Sequence, residues 1–260
     1  MLVRLIEDLN PTHIAVCFDR TEPTFRNKLL PTYQSQRPET VKELASQFSK
    51  ARDFVNSAGI PVYEKIGFEA DDLIGTIAYK AKSKVDEVVI VTGDRDQLQL
   101  VGANVKVYMP IVGLAAAKLM GEGEVVEKMG VVPSQIVDYK ALVGDASDNY
   151  FGVVGVGPKT AITLLNSYQS FPNIYAHLDK ISPKVREKLE KSKSQAELSY
   201  KLAKIVCDVP IDFKLDLAKG WQINNLKVLK LFESYGFRTL TERVKKLGHK
   251  LDAEKQGILF

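Results

Sequence analysis

Short apolar runs that close on acidic residues alternate with helical stretches through the first half of this chain. Ile14 to Phe18 is apolar and ends in Asp19, the pattern of a buried strand. Val88 to Val91 is β-branched and ends in Thr92-Gly93-Asp94, and Val105 to Tyr108 reads as a further strand. Between them, Val41 to Ala58 has helical periodicity, with Leu44, Phe48, Ala51 and Val55 on one face and Gly59 and Pro61 as a stop. Asp71 to Lys82 reads as a second helix with Leu73, Ile77 and Ala81 apolar. This alternation predicts an α/β fold, a mostly parallel sheet flanked by helices. Ligands of such sheets bind beyond the carboxyl ends of the strands, where Asp19, Asp94 and Asp96 fall.

The second half reads as helical over Gly123 to Met129, Pro133 to Val143, Lys159 to Ser167, Pro183 to Cys207 and Asn224 to Tyr235. No repeat or low-complexity linker separates it from the first. The expected organisation is an α/β part over 1–130 and a helical part over 131–260, with a soft boundary near Gly130 and a shared core.

Eight acidic residues recur in four separated segments: Asp19; Glu69, Asp71 and Asp72; Asp94 and Asp96; Asp145 and Asp148. Like charges about 4 Å apart repel by roughly 4 kcal/mol near a protein surface. Carboxylates brought together therefore need cations, and oxygen-only ligation suits Mg²⁺ or Mn²⁺ rather than zinc. A carboxylate site with two such ions is suited to cutting phosphodiesters. A plainer reading stands beside this one. Glu69-Ala70-Asp71-Asp72 opens a helix, where capping and the macrodipole favour acids, and Asp94-Arg95-Asp96 could be a loop before a helix start. The latter is not a calcium loop, because Leu98 stands where a third oxygen ligand belongs. Asp145 and Asp148 face one way if their segment forms a helical turn.

Charge supports a polyanionic partner. The chain has 260 residues and a net charge of +4. Setting the eight clustered acids aside leaves 24 acidic residues against 36 Lys and Arg, a balance of +12. An acidic hole in a basic surface suits a nucleic acid, although solvated lysine faces would give the same count. No apolar run reaches the length of a membrane span; Ile111 to Met120 is too short and contains Lys118. No signal peptide is visible at the start. Cys17 and Cys207 lack metal-ligand spacing and read as buried thiols of a reducing compartment. His13, His177 and His249 form no cluster.

Gly152 to Ala161 reads Gly-Val-Val-Gly-Val-Gly-Pro-Lys-Thr-Ala. Pro158 between Gly157 and Lys159 rules out a P-loop, and no third glycine or preceding strand supports a dinucleotide fold. A tight hairpin between two helices fits instead. Gly155 and Gly157 let backbone approach a phosphate, and Pro158 at a first helical position leaves the amides near Lys159 and Thr160 directed at an anion. An ordinary glycine-rich connection is the alternative. From Arg20 to Pro38, Arg26, Lys28 and Arg37 interleave with Phe25 and Tyr33, a mixture suited to single-stranded nucleic acid or to a solvated loop. Lys180 to Lys193 is basic as well, either a DNA-tracking face or a solvated helix.

From about Leu5 onward the chain resembles the 5′ nuclease domain of bacterial DNA polymerase I, within the flap endonuclease superfamily. The motifs are Pro11-Thr12-His13-Ile14-Ala15-Val16, Thr24-Phe25-Arg26, Glu69-Ala70-Asp71-Asp72, Thr92-Gly93-Asp94-Arg95-Asp96, Gly144-Asp145 with Ser147-Asp148-Asn149, and Gly155-Val156-Gly157 with Lys159-Thr160-Ala161. The resemblance implies a PIN-like sheet plus a helical region with a helix-three-turn-helix. It implies Mg²⁺- or Mn²⁺-dependent 5′-3′ exonuclease and 5′-flap endonuclease activity on DNA with a flap, nick or 5′ end. It makes all eight acids metal-site residues, Arg37 a basic residue near the scissile phosphate, and Phe25, Arg26, Tyr33, Gly155, Gly157, Lys159 and Thr160 DNA contacts. The carbonyls of Val153 and Val156 look like the family's monovalent-cation ligands, which implies K⁺ at the hairpin. A separate DNA polymerase as partner, no membrane, and a cytoplasmic, nucleoid-associated setting complete the expectation.

The sequence departs from the family in three ways. Members begin with a strand ending in Asp-Gly, then an arginine, upstream of the position of Met1. Gln34 stands where an arch lysine is common, and Tyr150-Phe151 and Val154 replace Ile-Pro and a frequent proline. No polymerase domain follows Phe260. These departures yield two expectations: a chain less stable and less active than one with the upstream strand, and a rival reading as a catalytically impaired DNA-structure-binding module.

Overall fold

The acids recur at element boundaries because each boundary is closed by a specific local device. In the computed structural model, which describes residues 1–38, 40–110 and 117–257, the chain begins with helix α1 (Leu2–Leu9), ended by Asn10 in the left-handed region. Strand β1 (Val16–Cys17) leads to the short helix α2 (Phe25–Leu29), whose opening is fixed by Asn27 accepting the Thr24 N–H. Helix α3 (Lys42–Ser57), strand β2 (Val62–Tyr63) and helix α4 (Ala70–Ala81) follow. At α4, Asp72 accepts the N–H of Glu69 at 3.1 Å, so one acid of this segment has a capping job.

Strand β3 (Val88–Val91) precedes a 3₁₀ turn, Asp96–Leu100, and strands β4 (Val105–Met109) and β5 (Lys118–Met120). Helix α5 (Glu122–Met129) ends at Gly130, and α6 (Ile136–Val143) at Gly144, before the strand pair β6 (Gly144–Asp145) and β7 (Tyr150–Phe151). Then come α7 (Pro158–Tyr168), α8 (Phe171–Ala176), α9 (Pro183–Lys191), α10 (Lys193–Ala203), α11 (Leu226–Ser234) and α12 (Arg238–Gly257). The helix expected from Pro183 to Cys207 is two helices that break at the buried Ser192. The apolar stretch from Ile111 lies outside the described residues as far as residue 116. Among the described residues no helix is long and apolar enough to cross a membrane.

Among the described residues the strands form three sheets rather than one. The pairs are β1–β2, parallel with Val16 opposite Val62; β3–β4–β5, parallel then antiparallel; and the antiparallel β6–β7. The chain resolves into two compact units. One comprises residues 1–18, 39–64 and 211–260, the other 19–38 and 65–210, so the expected boundary at Gly130 falls inside the second.

In the first unit, Ile6, Ala58, Trp221, Val228 and Val244 are central to one apolar core. Helix α3 contributes Val55, but Leu44 and Phe48 on its expected buried face are 52% and 54% exposed. Periodicity correctly placed these residues on one face, but nothing among the described residues covers its first half. In the second unit, one core runs from Ala78 through Val107, Leu142 and Leu165 to Ala196, joining residues from both sides of Gly130. A smaller cluster of Tyr33, Tyr150, Leu202 and Ala203 sits beside it. Cys17 and Cys207, expected buried, are each half-buried.

The turn that carries Asp145 and Asp148 is held by backbone packed on backbone. Val153 N–H donates to Leu142 O at 2.8 Å. A Cβ on Gly152 would lie 2.6 Å from Gly144 N and closer still to the Leu142 carbonyl. Gly152→Ala should therefore cost about 2–3 kcal/mol and lower the thermal midpoint by several degrees. Gly157→Ala, with ordinary φ and open space, should leave it within about 0.5 kcal/mol. Equal midpoints for the two variants would contradict this packing.

Candidate metal and nucleic-acid site

The second unit gathers acids from every expected segment around a cleft of about 700 Å³. Asp19, Glu69, Asp71, Asp94, Asp96 and Asp148 line it, together with Arg26, Tyr33 and Arg37. Asp19 is tied to the start of α4, its Oδ1 accepting the Ala70 N–H at 2.7 Å. Asp94 folds onto its own turn, accepting the Asp96 N–H at 2.8 Å. Carboxylate oxygens of Asp96, Asp145 and Asp148 lie within 4.8 Å of one another. The 3₁₀ turn after β3 brings Asp96, while the β6–β7 turn brings Asp145 and Asp148. Asp145 accepts the Ser147 N–H at 2.8 Å, which folds that turn back on itself.

Asp72 does not join them. It is fully buried and forms a bidentate pair with the guanidinium of Arg26, at 2.8 and 2.9 Å. It also accepts the Val206 N–H at 2.9 Å, so its oxygens are used inside the protein. Arg26, expected at DNA, is 3% exposed and donates to the carbonyls of Leu202 and Lys204 as well. Tyr33, also expected at DNA, is 5% exposed, and its hydroxyl donates to Asp148 at 3.1 Å and lies 3.4 Å from Glu69. Both corrections have one cause. The segment 20–38 carries helix α2 and a run of turns that folds over the acids, and is not an open loop. Phe25 is half-buried, packed on Phe68 with Arg26 over its ring. Arg37 remains half exposed and pairs with Asp148 at 2.6 Å.

Lys140, which carried no sequence signal beyond its place in an apolar helix, enters the site from α6. Its side chain is 10% exposed, and its ammonium bonds Asp145 at 2.5 Å and also Asp96. Tyr150 was singled out only as a departure from the family. Its hydroxyl is buried without a hydrogen-bond partner among the described residues.

The charge state follows from this crowding. Burial, then the neighbouring Asp94, pushes Asp71 up to about 6. Burial also raises Glu69 to about 7, against the pull of Arg26. Asp96 rises to about 7 through burial although Lys140 opposes it, because Asp94 and Asp145 face it too. Asp145, less buried, is held below the usual carboxylate range. Burial pushes it up, but hydrogen bonds from Lys140 and Ser147 outweigh that push.

The hairpin has the expected local form. The Val156 N–H bonds Val153 O at 3.0 Å across a turn in which Gly155 takes φ +78°, and Pro158 opens α7. Lys159 is exposed and Thr160 partly so. Lys188 donates to Gly155 O at 2.7 Å, and Ser199 to Phe151 O at 2.7 Å, latching the hairpin to α9 and α10.

The donor set, all carboxylate oxygens with an orphaned buried hydroxyl beside them, fits hard divalent cations. Without them, Glu69, Asp71 and Asp96 bind protons more tightly folded than unfolded. Their contribution is complete near pH 4 and is lost as pH rises through 6 and 7. Each tenfold difference in proton affinity is worth about 1.4 kcal/mol. The thermal midpoint in EDTA should therefore fall between pH 5 and 8, and Mg²⁺ at pH 8 should restore it. A midpoint that rises across that range in EDTA would contradict the crowding.

Residues 1–130 match the family model described as 5′-3′ exonuclease, N-terminal resolvase-like domain, and residues 131–225 the one described as 5′-3′ exonuclease, C-terminal SAM fold. DNA polymerase I of Bacillus caldotenax is 38% identical over 94% of the chain, and that of Mycobacterium bovis 37% identical over 94%. The chain spans 28% and 27% of those relatives' lengths. The bacteriophage T5 D15 flap endonuclease, solved with DNA and metal ions, superposes with a TM-score of 0.66 at 20% identity, covering 96% of this chain and 88% of that one. The catalytic core of Rad2 with DNA substrate superposes at 0.56 and 14% identity, covering 96% and 81%. These superpositions show a shared PIN-like α/β fold. With both family models matched in order over residues 1–225, the chain belongs to the 5′-3′ exonuclease family.

Proposed function

We propose that this chain hydrolyses DNA phosphodiesters at 5′ ends and 5′ flaps, as a nuclease dependent on Mg²⁺ or Mn²⁺. The observation that carries this reading is the convergence of seven of the eight acids on one cleft or its adjoining niche, with Asp72 withdrawn to hold Arg26. Divalent ions held there would neutralise charge on the scissile phosphate and make water a competent nucleophile. The chain's own residues do the rest. Asp19, Asp71 and Asp94, on the cleft wall, would hold one ion, and Asp96, Asp145 and Asp148 would form a neighbouring set. Arg37, half exposed at the rim, presents a planar fork matched to a phosphate. The hairpin amides and Lys159 grip the backbone of the duplex without reading bases. K⁺ at the carbonyls of Val153 and Val156 belongs to the same reading. The substrate implies a cytoplasmic, nucleoid-associated setting and a DNA polymerase that refills the gap. A binding module without catalysis is not favoured, because binding alone gives no reason to crowd carboxylates.

Asp71→Asn and Asp94→Asn should each lower Mg²⁺-dependent cleavage of a 5′-flapped duplex by about a hundredfold or more. In EDTA at pH 8 both should be at least as stable as the wild type, since each removes repulsion. Full cleavage by either variant would sink the assignment. Lys159→Ala should weaken duplex binding equally across sequences and reduce the log-log salt slope by about one. An unchanged slope would return the hairpin to an ordinary helix connection.

A further inference from the structure

The niche of Asp96, Asp145 and Asp148 is provided with its own cations. Lys140 bonds the first two, with Nζ 2.5 Å from Asp145 Oδ2, and Arg37 holds the third at 2.6 Å. Three carboxylates thus meet two protein cations, leaving a formal charge of −1 where the bare acids would carry −3. Asp94 instead accepts a neutral donor, the Asp96 N–H, and the Gln97 amide beside Asp71 donates to its backbone carbonyl. The two acid sets are therefore electrostatically unlike.

A second, independent observation marks the same niche as incompletely filled. Tyr150 pairs with Asp145 across β6–β7, is 2% exposed, and feels the charges of Asp96, Asp145 and Asp148. Its hydroxyl has no hydrogen-bond partner among the described residues. A buried polar group is retained at a cost unless something bonds it.

We propose that Lys140 is a built-in counter-ion standing in a divalent-cation position of this niche. Ion binding there is then an exchange in which the ammonium must leave the carboxylates for the cation to enter. The unpartnered Tyr150 hydroxyl is the contact left for the hydrated ion. Lysine suits the task, being a point charge on a flexible stem rather than a rigid fork. While Lys140 is home, the niche has little remaining charge to attract an ion. An arriving DNA backbone offers the displaced ammonium a phosphate as its next partner. The niche thus fills weakly in the free protein and more readily with substrate. This inference rests on the metal-dependent reading above and adds the order in which its sites fill.

The test is calorimetric titration of Mn²⁺ into the full metal-free chain, wild type against Lys140→Met and Lys140→Arg. The wild type should bind one ion tightly and a second weakly. Lys140→Met should tighten the second by at least tenfold, and Lys140→Arg should return it to weak binding. A wild type that takes up no Mn²⁺ would overturn both this inference and the metal-dependent reading. A wild type that binds while Lys140→Met binds no tighter would overturn this inference alone. Thermal melts cover the folding of the variant. Lys140→Met should be less stable than the wild type in EDTA and gain more from Mn²⁺. If it stays unfolded with Mn²⁺ present, the ammonium is not replaceable by a cation and the inference fails.

Discussion

The buried pair between Arg26 and Asp72 is the contact on which the site's geometry depends. One guanidinium binds the carboxylate at the first turn of α4 and the carbonyls of Leu202 and Lys204 at the end of α10. The carboxylate in turn accepts N–H groups from Glu69 and Val206. Helix α2, the start of α4 and the exit from α10 are thereby fixed to one another. Removing one member of such a pair strands the other and typically costs about 3–5 kcal/mol. With those parts fixed, Glu69 and Asp71 project from the start of α4 towards the cleft, and Tyr33, on the chain that follows α2, closes over them.

The rest of the site is a response to concentrated negative charge. Three of the acids are held by backbone N–H groups: Asp19 by the first amide of α4, Asp94 by its own turn, Asp145 by Ser147. None of these devices cancels charge, so the carboxyls stay costly to ionise together. The protein answers with Lys140 and Arg37 on one side of the site and leaves the other side to ions from solution. Repulsion in the empty site and affinity in the filled one thus have the same source.

Much of the architecture was legible because it is local. Helix α4, strands β3 and β4 and the hairpin at Gly155 follow from periodicity, β-branching and glycine or proline punctuation within a few residues. The acids were legible as a set because they fall just beyond those elements. What was not legible depends on distant partners. Arg26 reads as a surface cation until Asp72, 46 residues on, is placed against it. Tyr33 reads as a DNA contact until Asp148 claims its hydroxyl. Lys140 lies in an apolar helix, and its partner Asp96 is 44 residues away in sequence. Leu44 and Phe48 show the converse: their spacing defines a face, but spacing cannot say whether anything covers it. The division of the strands into separate sheets likewise depends on pairing, which strand propensity does not specify.

The account depends on the acids of the cleft being ion ligands rather than a chance concentration of charge. Anomalous scattering from a crystal of the chain soaked in Mn²⁺ tests this most directly. A peak about 2 Å from carboxylate oxygens of Asp71 and Asp94, with none beside Asp72, is the predicted result. Crystals that remain without a peak in this cleft at saturating Mn²⁺, or that place it against acids elsewhere on the surface, would contradict the account.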